Sequence, residues 1–200
     1  MNCGSWINLR TYFCETCHQR CLKQFNQEAV VYIENVPVRS LLRWPPGESD
    51  VLSSLVLQLK DEPHGSWNIW AEEFLLKWGC AGANKTTQII TSESSSGKRH
   101  AQNWGDALAQ LTRYPHACPL KPQEKNAGKA WAVSKKQREL SRLERAQRSF
   151  DLSVEFSTTV DTRIIFADDV VTTGQTALAA YEALKEPSDF EVWCLIYREL

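Results

Sequence analysis

The chain has 200 residues, a formal net charge of −1 at pH 7 and a hydrophobic fraction of 42%. This length suits one domain with a real hydrophobic core, or one domain with a small appendage. A net charge close to zero does not call for nucleic acid as a partner, although it leaves room for a local basic patch.

No apolar stretch reaches eighteen residues, so we expect no transmembrane helix, and residues 1–21 lack the apolar core and cleavage site of a secretory signal. We therefore expect a cytoplasmic protein that does not engage a membrane. In that compartment the seven cysteines are expected to be thiols or metal ligands and not a disulfide framework. Eight tryptophans are many for this length, and we expect them to be buried.

After an N-terminal cysteine cluster, β-branched runs alternate with amphipathic stretches, which predicts an α/β domain. We assign residues 1–28 to a cysteine knuckle and residues 29–200 to this domain. The predicted strands are Ala29–Leu42 (one or two strands), Thr86–Thr91, Thr162–Ala167 and Phe190–Tyr197. The predicted helices are Val51–Leu59, Ser66–Gly79, Trp104–Tyr114, Lys135–Leu152 and Thr173–Glu186. The proline-containing stretch Pro115–Gly128 is predicted to be a loop.

The last strand, helix and strand form a β-α-β unit, which requires parallel strands and a right-handed crossover. Arg163–Ala167 is apolar on both faces, as expected at the centre of a parallel sheet that helices cover on both sides. Asp168 and Asp169 follow directly, and in open α/β sheets ligands lie beyond the carboxyl ends of the strands. The acidic pair is therefore the first candidate for a ligand site.

The residues after the acidic pair suit a phosphate. The turn Val170–Thr176 leads into a helix, whose first backbone N–H groups and positive dipole end bind anions. Gly174 tolerates positive φ and lets N–H groups approach a ligand, while Thr172, Thr173 and Thr176 add hydroxyl donors. The aspartates accept hydrogen bonds from sugar hydroxyls, or hold Mg²⁺ through water. Together these groups match a ribose 5-phosphate.

Ile164–Thr176, "IIFADDVVTTGQT", resembles the 5-phosphoribosyl-1-pyrophosphate (PRPP) motif of type I phosphoribosyltransferases at every position. The resemblance implies the type I phosphoribosyltransferase fold, a central mostly parallel sheet flanked by helices. It implies that Asp168 and Asp169 contact the ribose hydroxyls and Mg²⁺, and that the next turn wraps the 5′-phosphate. The residues of this turn are Val171, Thr172, Thr173, Gly174, Gln175 and Thr176.

Three further features resemble the ComF family, which is linked to DNA uptake in competent bacteria. They are the N-terminal cysteine knuckle, a helix ending in "LQLK" and the late basic block "KKQRELSRLERAQRSF". Type I enzymes carry in this position a flexible loop that closes over the active site, and its basic residues would neutralise the departing pyrophosphate. The candidates in this loop are Lys136, Gln137, Arg138 and Arg145.

One segment departs from the ComF pattern. The family follows its first strand with a valine-proline turn and an arginine-glycine-aromatic-asparagine-glutamine segment, whereas this chain has "SESSSGKRHAQN" after Thr91. In a type I enzyme this loop binds pyrophosphate; its serine hydroxyls, glycine and cationic side chains still suit that ligand, while the Glu93 carboxylate opposes it. The candidates are Ser92, Ser94, Gly97, Lys98 and Arg99.

The ComF knuckle holds zinc with two C-x-x-C pairs, of which only Cys14-x-x-Cys17 is intact here. A tetrahedral structural site needs four ligands, and Cys21 or His18 offers the fourth. We expect a structural Zn²⁺ site, with a relic knuckle of free thiols as the alternative. The expected ligands are Cys3, Cys14, Cys17 and Cys21.

The remaining cysteines and histidines carry no assigned chemistry. The cysteines expected to be ordinary small residues are Cys80, Cys118 and Cys194. The histidines expected to lie in surface loops are His64, His100 and His116.

Two functions follow from these patterns. The first is an enzyme of DNA uptake that binds PRPP with Mg²⁺ and transfers the phosphoribosyl group to an unknown acceptor. The second is a PRPP-sensing module without turnover, or a module that binds single-stranded DNA or a DNA-uptake protein. The tryptophans and the basic block are compatible with single-strand binding.

Overall fold

The computed structural model describes residues 30–45, 59, 67–80, 86–94, 97–123, 149–153, 156 and 161–199. The strands are β1 (Val31–Ile33), β2 (Val36–Trp44), β3 (Thr87–Ser92), β4 (His116–Pro122), β5 (Phe150–Leu152), β6 (Arg163–Val171) and β7 (Phe190–Arg198). The helices are α1 (Trp67–Trp78), α2 (His100–Thr112) and α3 (Gln175–Ala183).

Within the described residues, the seven strands form one sheet in the order β1-β2-β7-β6-β3-β4-β5. Strands β2, β7, β6, β3 and β4 are parallel to one another. The two short edge strands, β1 and β5, are antiparallel to their neighbours. The predicted α/β class, with a mostly parallel sheet flanked by helices, is confirmed.

Strand β6 lies in the middle of the sheet, and helices cover both of its faces. Ile164 and Phe166 belong to the core layer that contains α3. Ile165 and Ala167 belong to the opposite layer, which contains α1 and α2. A continuous apolar run was the signal for this strand, and its two-sided burial is what parallel strands require.

Aromatic side chains fill the layer under α1 and α2. The Phe74 ring of α1 lies 5.6 Å from Trp104 and 5.1 Å from Trp193, measured between ring centroids. The Trp104 indole Nε1–H also donates to the Trp193 carbonyl oxygen at 3.0 Å, which ties α2 to β7. The expectation of buried tryptophans is confirmed for Trp44, Trp67, Trp70, Trp104 and Trp193.

Several predicted boundaries differ from the observed ones. Helix α2 begins at His100, before the predicted start at Trp104. Strand β6 continues to Val171, past the predicted end at Ala167. The predicted Ala29–Leu42 region forms two antiparallel strands, and its second strand pairs with β7.

The loop predicted for Pro115–Gly128 is wrong in its first half, because His116–Pro122 forms β4. The prolines of this stretch led to the prediction of a loop instead of a strand. Pro119 lies where the register of β4 against β3 shifts by one residue, and a β-bulge tolerates a residue without an N–H. The helix predicted for Lys135–Leu152 is also wrong at its end, since Phe150–Leu152 forms β5.

Some predictions lie outside the described residues. These are the whole N-terminal knuckle, the helix Val51–Leu59 apart from Leu59, and residues 124–148. Leu59 is helical and buried in the α1 and α2 layer. Of the helices in the described part of the chain, none is both long and apolar enough to span a membrane.

A buried carboxylate links three adjacent strands at the edge where the parallel strands begin. Glu191 of β7 accepts a hydrogen bond from Arg39 Nε of β2 at 2.9 Å and one from Arg163 Nη2 of β6 at 2.5 Å. The Glu191 side chain is 5% exposed, while the two arginine side chains are 30% and 20% exposed. The carboxylate therefore depends on both arginines for its solvation.

We predict that Glu191→Gln lowers the free energy of unfolding by about 2 kcal/mol, because both arginines lose a charged acceptor but remain partly hydrated. Urea denaturation followed by circular dichroism measures this loss. Glu182→Gln, at an exposed position on α3, is the matched control and should change little. Equal stability of the two variants would contradict the prediction.

Candidate functional site

The acidic pair lies inside β6, within its last four residues, and not beyond its end as expected. The residues from Ile164 to Ala167 are buried, whereas Asp168 and Asp169 are partly exposed. The N–H of Asp169 donates a 3.0 Å hydrogen bond to Oδ1 of Asp168. Strand β6 therefore becomes partly exposed to solvent at the two carboxylates.

The side of the sheet on which successive β6 side chains lie changes at the acidic pair. Before it, Phe166 packs in the α3 layer and Ala167 in the α1 and α2 layer. After it, Val170 packs against the α1 and α2 layer and Val171 in the α3 layer. Strict alternation would give Val170 the same face as Phe166. The carboxylates thus lie where the strand rotates out of its regular pleat.

The turn after β6 is shorter than predicted and consists of Thr172, Thr173 and Gly174. Gly174 has φ of 72° and caps α3, whose first turn carries no acidic residue. The Gly174 carbonyl accepts the N–H of Leu178 at 2.9 Å, so the helix starts directly at the turn. The first N–H groups of α3 and the threonine hydroxyls are suited to an anion.

The side chain of Ile33, from β1, covers Gly174. A Cβ atom on Gly174 would lie 2.7 Å from Ile33 Cγ2 and closer still to Ile33 Cδ1. Glycine is therefore required at this position for two reasons, its left-handed backbone and the absence of space for a side chain. The sequence motif indicated only the first reason.

A second loop leaves the sheet next to this turn. Strands β3 and β6 are parallel neighbours, so the β3–α2 loop and the β6–α3 turn emerge side by side at the same edge. Each of these connections leads into a helix, so two helix N-termini lie at this edge. Two adjacent helix starts next to a pair of carboxylates fit a ligand with several phosphate groups and a sugar.

The structure gives the following positions to the predicted pyrophosphate-binding residues. Ser92 is the last residue of β3, and the other four candidates are exposed in the loop that follows: Ser94, Gly97, Lys98 and Arg99. Gly97 has φ of 71°, and its N–H donates to the Ser94 carbonyl at 3.0 Å. Lys121 Nζ lies 4.0 Å from Glu93 Oε1, which reduces the repulsion that this carboxylate would exert on an anion.

The predicted flexible-loop residues lie outside the described residues, but the two ends of their segment are described. Gln123 and Ser149 lie on either side of residues 124–148. Ser149 Oγ donates to Gln123 Oε1 at 2.6 Å, and Gln123 Nε2 donates to Asp151 Oδ1 at 2.6 Å. These bonds, together with the antiparallel β4–β5 ladder, hold the two ends of the segment together.

Cys194 of β7 pairs in the ladder with Asp168 and is fully buried. Burial raises the pKa of the Cys194 thiol well above its usual range, and the charge of Asp168 adds to this. A protonated thiol is a poor nucleophile and a poor metal ligand. The prediction that Cys194 is an ordinary small core residue is therefore supported.

His116 is not the surface loop residue that we expected. It is the first residue of β4, and its side chain is 13% exposed. Its Nδ1 lies 2.6 Å from Asp106 Oδ1, and its Nε2 lies 3.1 Å from Thr91 Oγ1. Sequence reasoning missed this array because the three residues lie on three different elements, and the strand that carries His116 was read as a loop.

The described residues contain no cluster of three or more histidine, cysteine, aspartate or glutamate side chains suited to a metal ion. The two carboxylates of Asp168 and Asp169 fit Mg²⁺, which prefers few protein oxygens and completes its shell with water and phosphate oxygens. The predicted zinc ligands all lie within residues 1–29, outside the described part of the chain.

Comparisons with known proteins gave matches only among solved structures. No protein-family model matches the chain. No curated protein matches it either. A hypoxanthine phosphoribosyltransferase mutant from Trypanosoma cruzi, in complex with the product IMP, is similar at 13% identity with a TM-score of 0.40. The alignment covers 69% of this chain and 65% of that one, just under two thirds of its length.

A second structure of this enzyme from Trypanosoma cruzi, described in work on its C-terminal region and oligomeric state, is similar at 14% identity with a TM-score of 0.39. The alignment covers 67% of this chain and 64% of that one. These likenesses concern the fold alone. The chemistry of the site therefore rests on the residues of this chain.

We predict that Gly174→Ala lowers the free energy of unfolding by about 3 kcal/mol. One part of this loss is backbone strain, because alanine disfavours the left-handed conformation, and the other is a clash between the new Cβ atom and Ile33. Urea denaturation of Gly174→Ala, Ile33→Ala and the double variant measures both parts. Ile33→Ala relieves the clash but not the strain, so the double variant should be about 1 kcal/mol more stable than the sum of the single losses predicts. Strict additivity would contradict the contact.

Proposed function

We propose that this chain binds PRPP together with Mg²⁺ and transfers its phosphoribosyl group to an acceptor, with loss of pyrophosphate. One observation carries the proposal. Gly174, five positions after Asp169, caps α3, so sugar-binding carboxylates and phosphate-binding N–H groups lie close together along the chain. A ribose 5-phosphate needs both kinds of group at this spacing.

Each part of PRPP has its own proposed partners. Asp168 and Asp169 accept hydrogen bonds from the ribose 2′- and 3′-hydroxyls and orient Mg²⁺ through its water shell. The segment Val171–Thr176, which contains the β6–α3 turn and the first residues of α3, donates to the 5′-phosphate. The β3–α2 loop donates to the pyrophosphate, with Lys98 and Arg99 as its cationic groups.

The proposed catalysis rests on positioning and on charge. Breaking the bond between C1 of the ribose and the pyrophosphate oxygen leaves positive charge on the ribose ring and negative charge on the leaving group. Bound Mg²⁺ supplies positive charge to the leaving group, and the cationic side chains of the chain add to it. The basic block is proposed to contribute further positive charge through Lys136, Arg138 and Arg145, with the Gln137 amide as a hydrogen-bond donor.

Calorimetric titration with Mg·PRPP tests the binding site. We expect the unmodified protein to bind, and Asp168→Asn/Asp169→Asn to bind about a hundredfold more weakly, because charged acceptors for two hydroxyls and for hydrated Mg²⁺ are lost. Asp161→Asn, at an exposed position before β6, is the matched control. Equal binding by the acidic-pair variant and this control would refute the proposed ligand.

A second candidate is a PRPP-sensing module without turnover, and Glu93 is the observation that favours it. Its side chain is 46% exposed, and its carboxylate lies in the loop that is proposed to hold pyrophosphate. Repulsion between this carboxylate and pyrophosphate would weaken the interaction that drives the reaction. Pyrophosphate release from PRPP in the presence of cell extract separates the two functions. Release above that of Thr173→Ala favours the enzyme, and binding without release favours the module.

The cellular role is proposed from the resemblance to the ComF family. In this proposal the protein acts in DNA uptake, with single-stranded DNA or a DNA-uptake protein as a further partner. The family resemblance and the cysteine spacing support a structural zinc site in residues 1–28. That site would stabilise a segment too small for its own core.

We predict about one zinc per chain in protein purified without chelator, because a structural site has a single four-ligand ion. Cys14→Ser/Cys17→Ser should reduce the content below about half of that value, since a tetrahedral site cannot lose two thiolates. Cys80→Ser removes an exposed cysteine and is the matched control. An unmodified protein without zinc would contradict the site.

A further inference from the structure

Two polar contacts join α2 to β4 directly behind the β3–α2 loop. The first is the array formed by Thr91 on β3, His116 on β4 and Asp106 on α2. In the second, Gln102 Nε2 on α2 donates to Cys118 Sγ on β4 at 3.1 Å. Gln102 and Asp106 are one helical turn apart, and Cys118 and His116 are two residues apart on one face of their strand. The two contacts therefore join one face of α2 to one face of β4.

The direction of each hydrogen bond in the array follows from the chemistry of its members. An ionised carboxylate only accepts, so His116 Nδ1 carries the proton that bonds to Asp106. Nε2 accepts from the Thr91 hydroxyl when the imidazole is neutral and donates to it when the imidazole is charged, so the two groups are hydrogen-bonded in either state. Thr91 is fully buried, so this hydroxyl cannot turn to water for a substitute partner.

The array also depends on a close approach of the helix to the sheet. A Cβ atom on Gly105 of α2 would lie 2.7 Å from His116 Nε2 and 2.7 Å from Thr91 Cγ2. Only glycine leaves space for the imidazole ring between the helix and the strands. The axial position of α2 is thus determined by a ring that is held from both of its nitrogens.

The two contacts act on both ends of the β3–α2 loop. Thr91 precedes Ser92, the last residue of β3 before the loop, and α2 starts where the loop ends. Arg99, the last loop residue, donates from Nε to Gln102 Oε1 at 2.9 Å, so the second contact orients its guanidinium. A shift of α2 along the sheet would therefore move Arg99 and the first N–H groups of the helix together.

We propose that His116 is a positioning residue: by bridging Thr91 and Asp106 it holds α2 in the position from which the β3–α2 loop binds the pyrophosphate end of the ligand. This inference rests on the proposed PRPP site. Within that site, the array supports only the part that is proposed to bind pyrophosphate. It lies behind the β3–α2 loop and does not belong to the β6–α3 turn. His116 touches no substrate atom in this scheme.

Two ligands separate the two parts of the site. Mg·PRPP requires both the β6–α3 turn and the β3–α2 loop, whereas ribose 5-phosphate lacks the pyrophosphate and requires only the turn and the acidic pair. A positioning role predicts that variants of the array lose affinity for PRPP and keep their affinity for ribose 5-phosphate. General destabilisation of the domain would weaken both ligands together.

The experiment is calorimetric titration of the full chain with each ligand. Thr91→Val removes the hydroxyl and preserves the shape of the side chain, and we expect about tenfold weaker PRPP binding with less than about twofold change for ribose 5-phosphate. Thr91→Ser should restore the affinity for PRPP. Thr112→Val is the matched control, because it removes a hydroxyl that bonds the Leu108 carbonyl at the far end of α2.

His116→Phe provides an independent variant, since it keeps a ring of similar width and removes both nitrogens. The same selective loss of PRPP affinity supports the proposal. Equal weakening of both ligands, or unchanged PRPP binding in Thr91→Val, overturns it while leaving the PRPP site intact. If the unmodified protein binds neither ligand, the proposed function itself is wrong and the inference falls with it.

Discussion

Strand β6 is a parallel strand buried on both faces, and covering these faces dictates where the other elements lie. One face requires the aromatic layer under α1 and α2, and the other requires α3. The two aspartates of this strand cannot lie in the core, because a buried, unpaired carboxylate would be costly. The transition from Ala167 to Asp168 is where burial gives way to partial exposure, and the candidate site begins there.

The two ends of the parallel strands have different roles. At the edge where the strands begin, Glu191 is enclosed by Arg39 and Arg163, and charges of opposite sign satisfy one another across three strands. At the edge where they end, N–H groups of two helix starts and the carboxylates of the acidic pair accumulate. Groups already satisfied within the protein stabilise the fold, and groups oriented towards solvent can bind a ligand.

Much of the fold follows from local patterns in the sequence. The apolar run before Asp168 predicted a central parallel strand, and the final β-α-β unit was found as predicted in order and type, with β6 longer and α3 shorter than predicted. Strand β4 was not predicted, because Pro119 and Pro122 resemble loop residues and only the bulge against β3 accommodates the first of them. His116 was consequently misread, since its partners come from elements that are distant in the sequence.

The sequence by itself determined the order of residue types at the end of β6: two acids, a threonine-glycine turn and a helix start. This is possible because positive φ, hydroxyl donors and helix N–H groups are properties of neighbouring residues. Only the tertiary structure decided that Ile33 covers Gly174, that the β3–α2 loop lies beside the β6–α3 turn, and that His116 joins Thr91 to Asp106. These contacts depend on which strands become neighbours in the sheet, and strand order is set by the packing of the whole core.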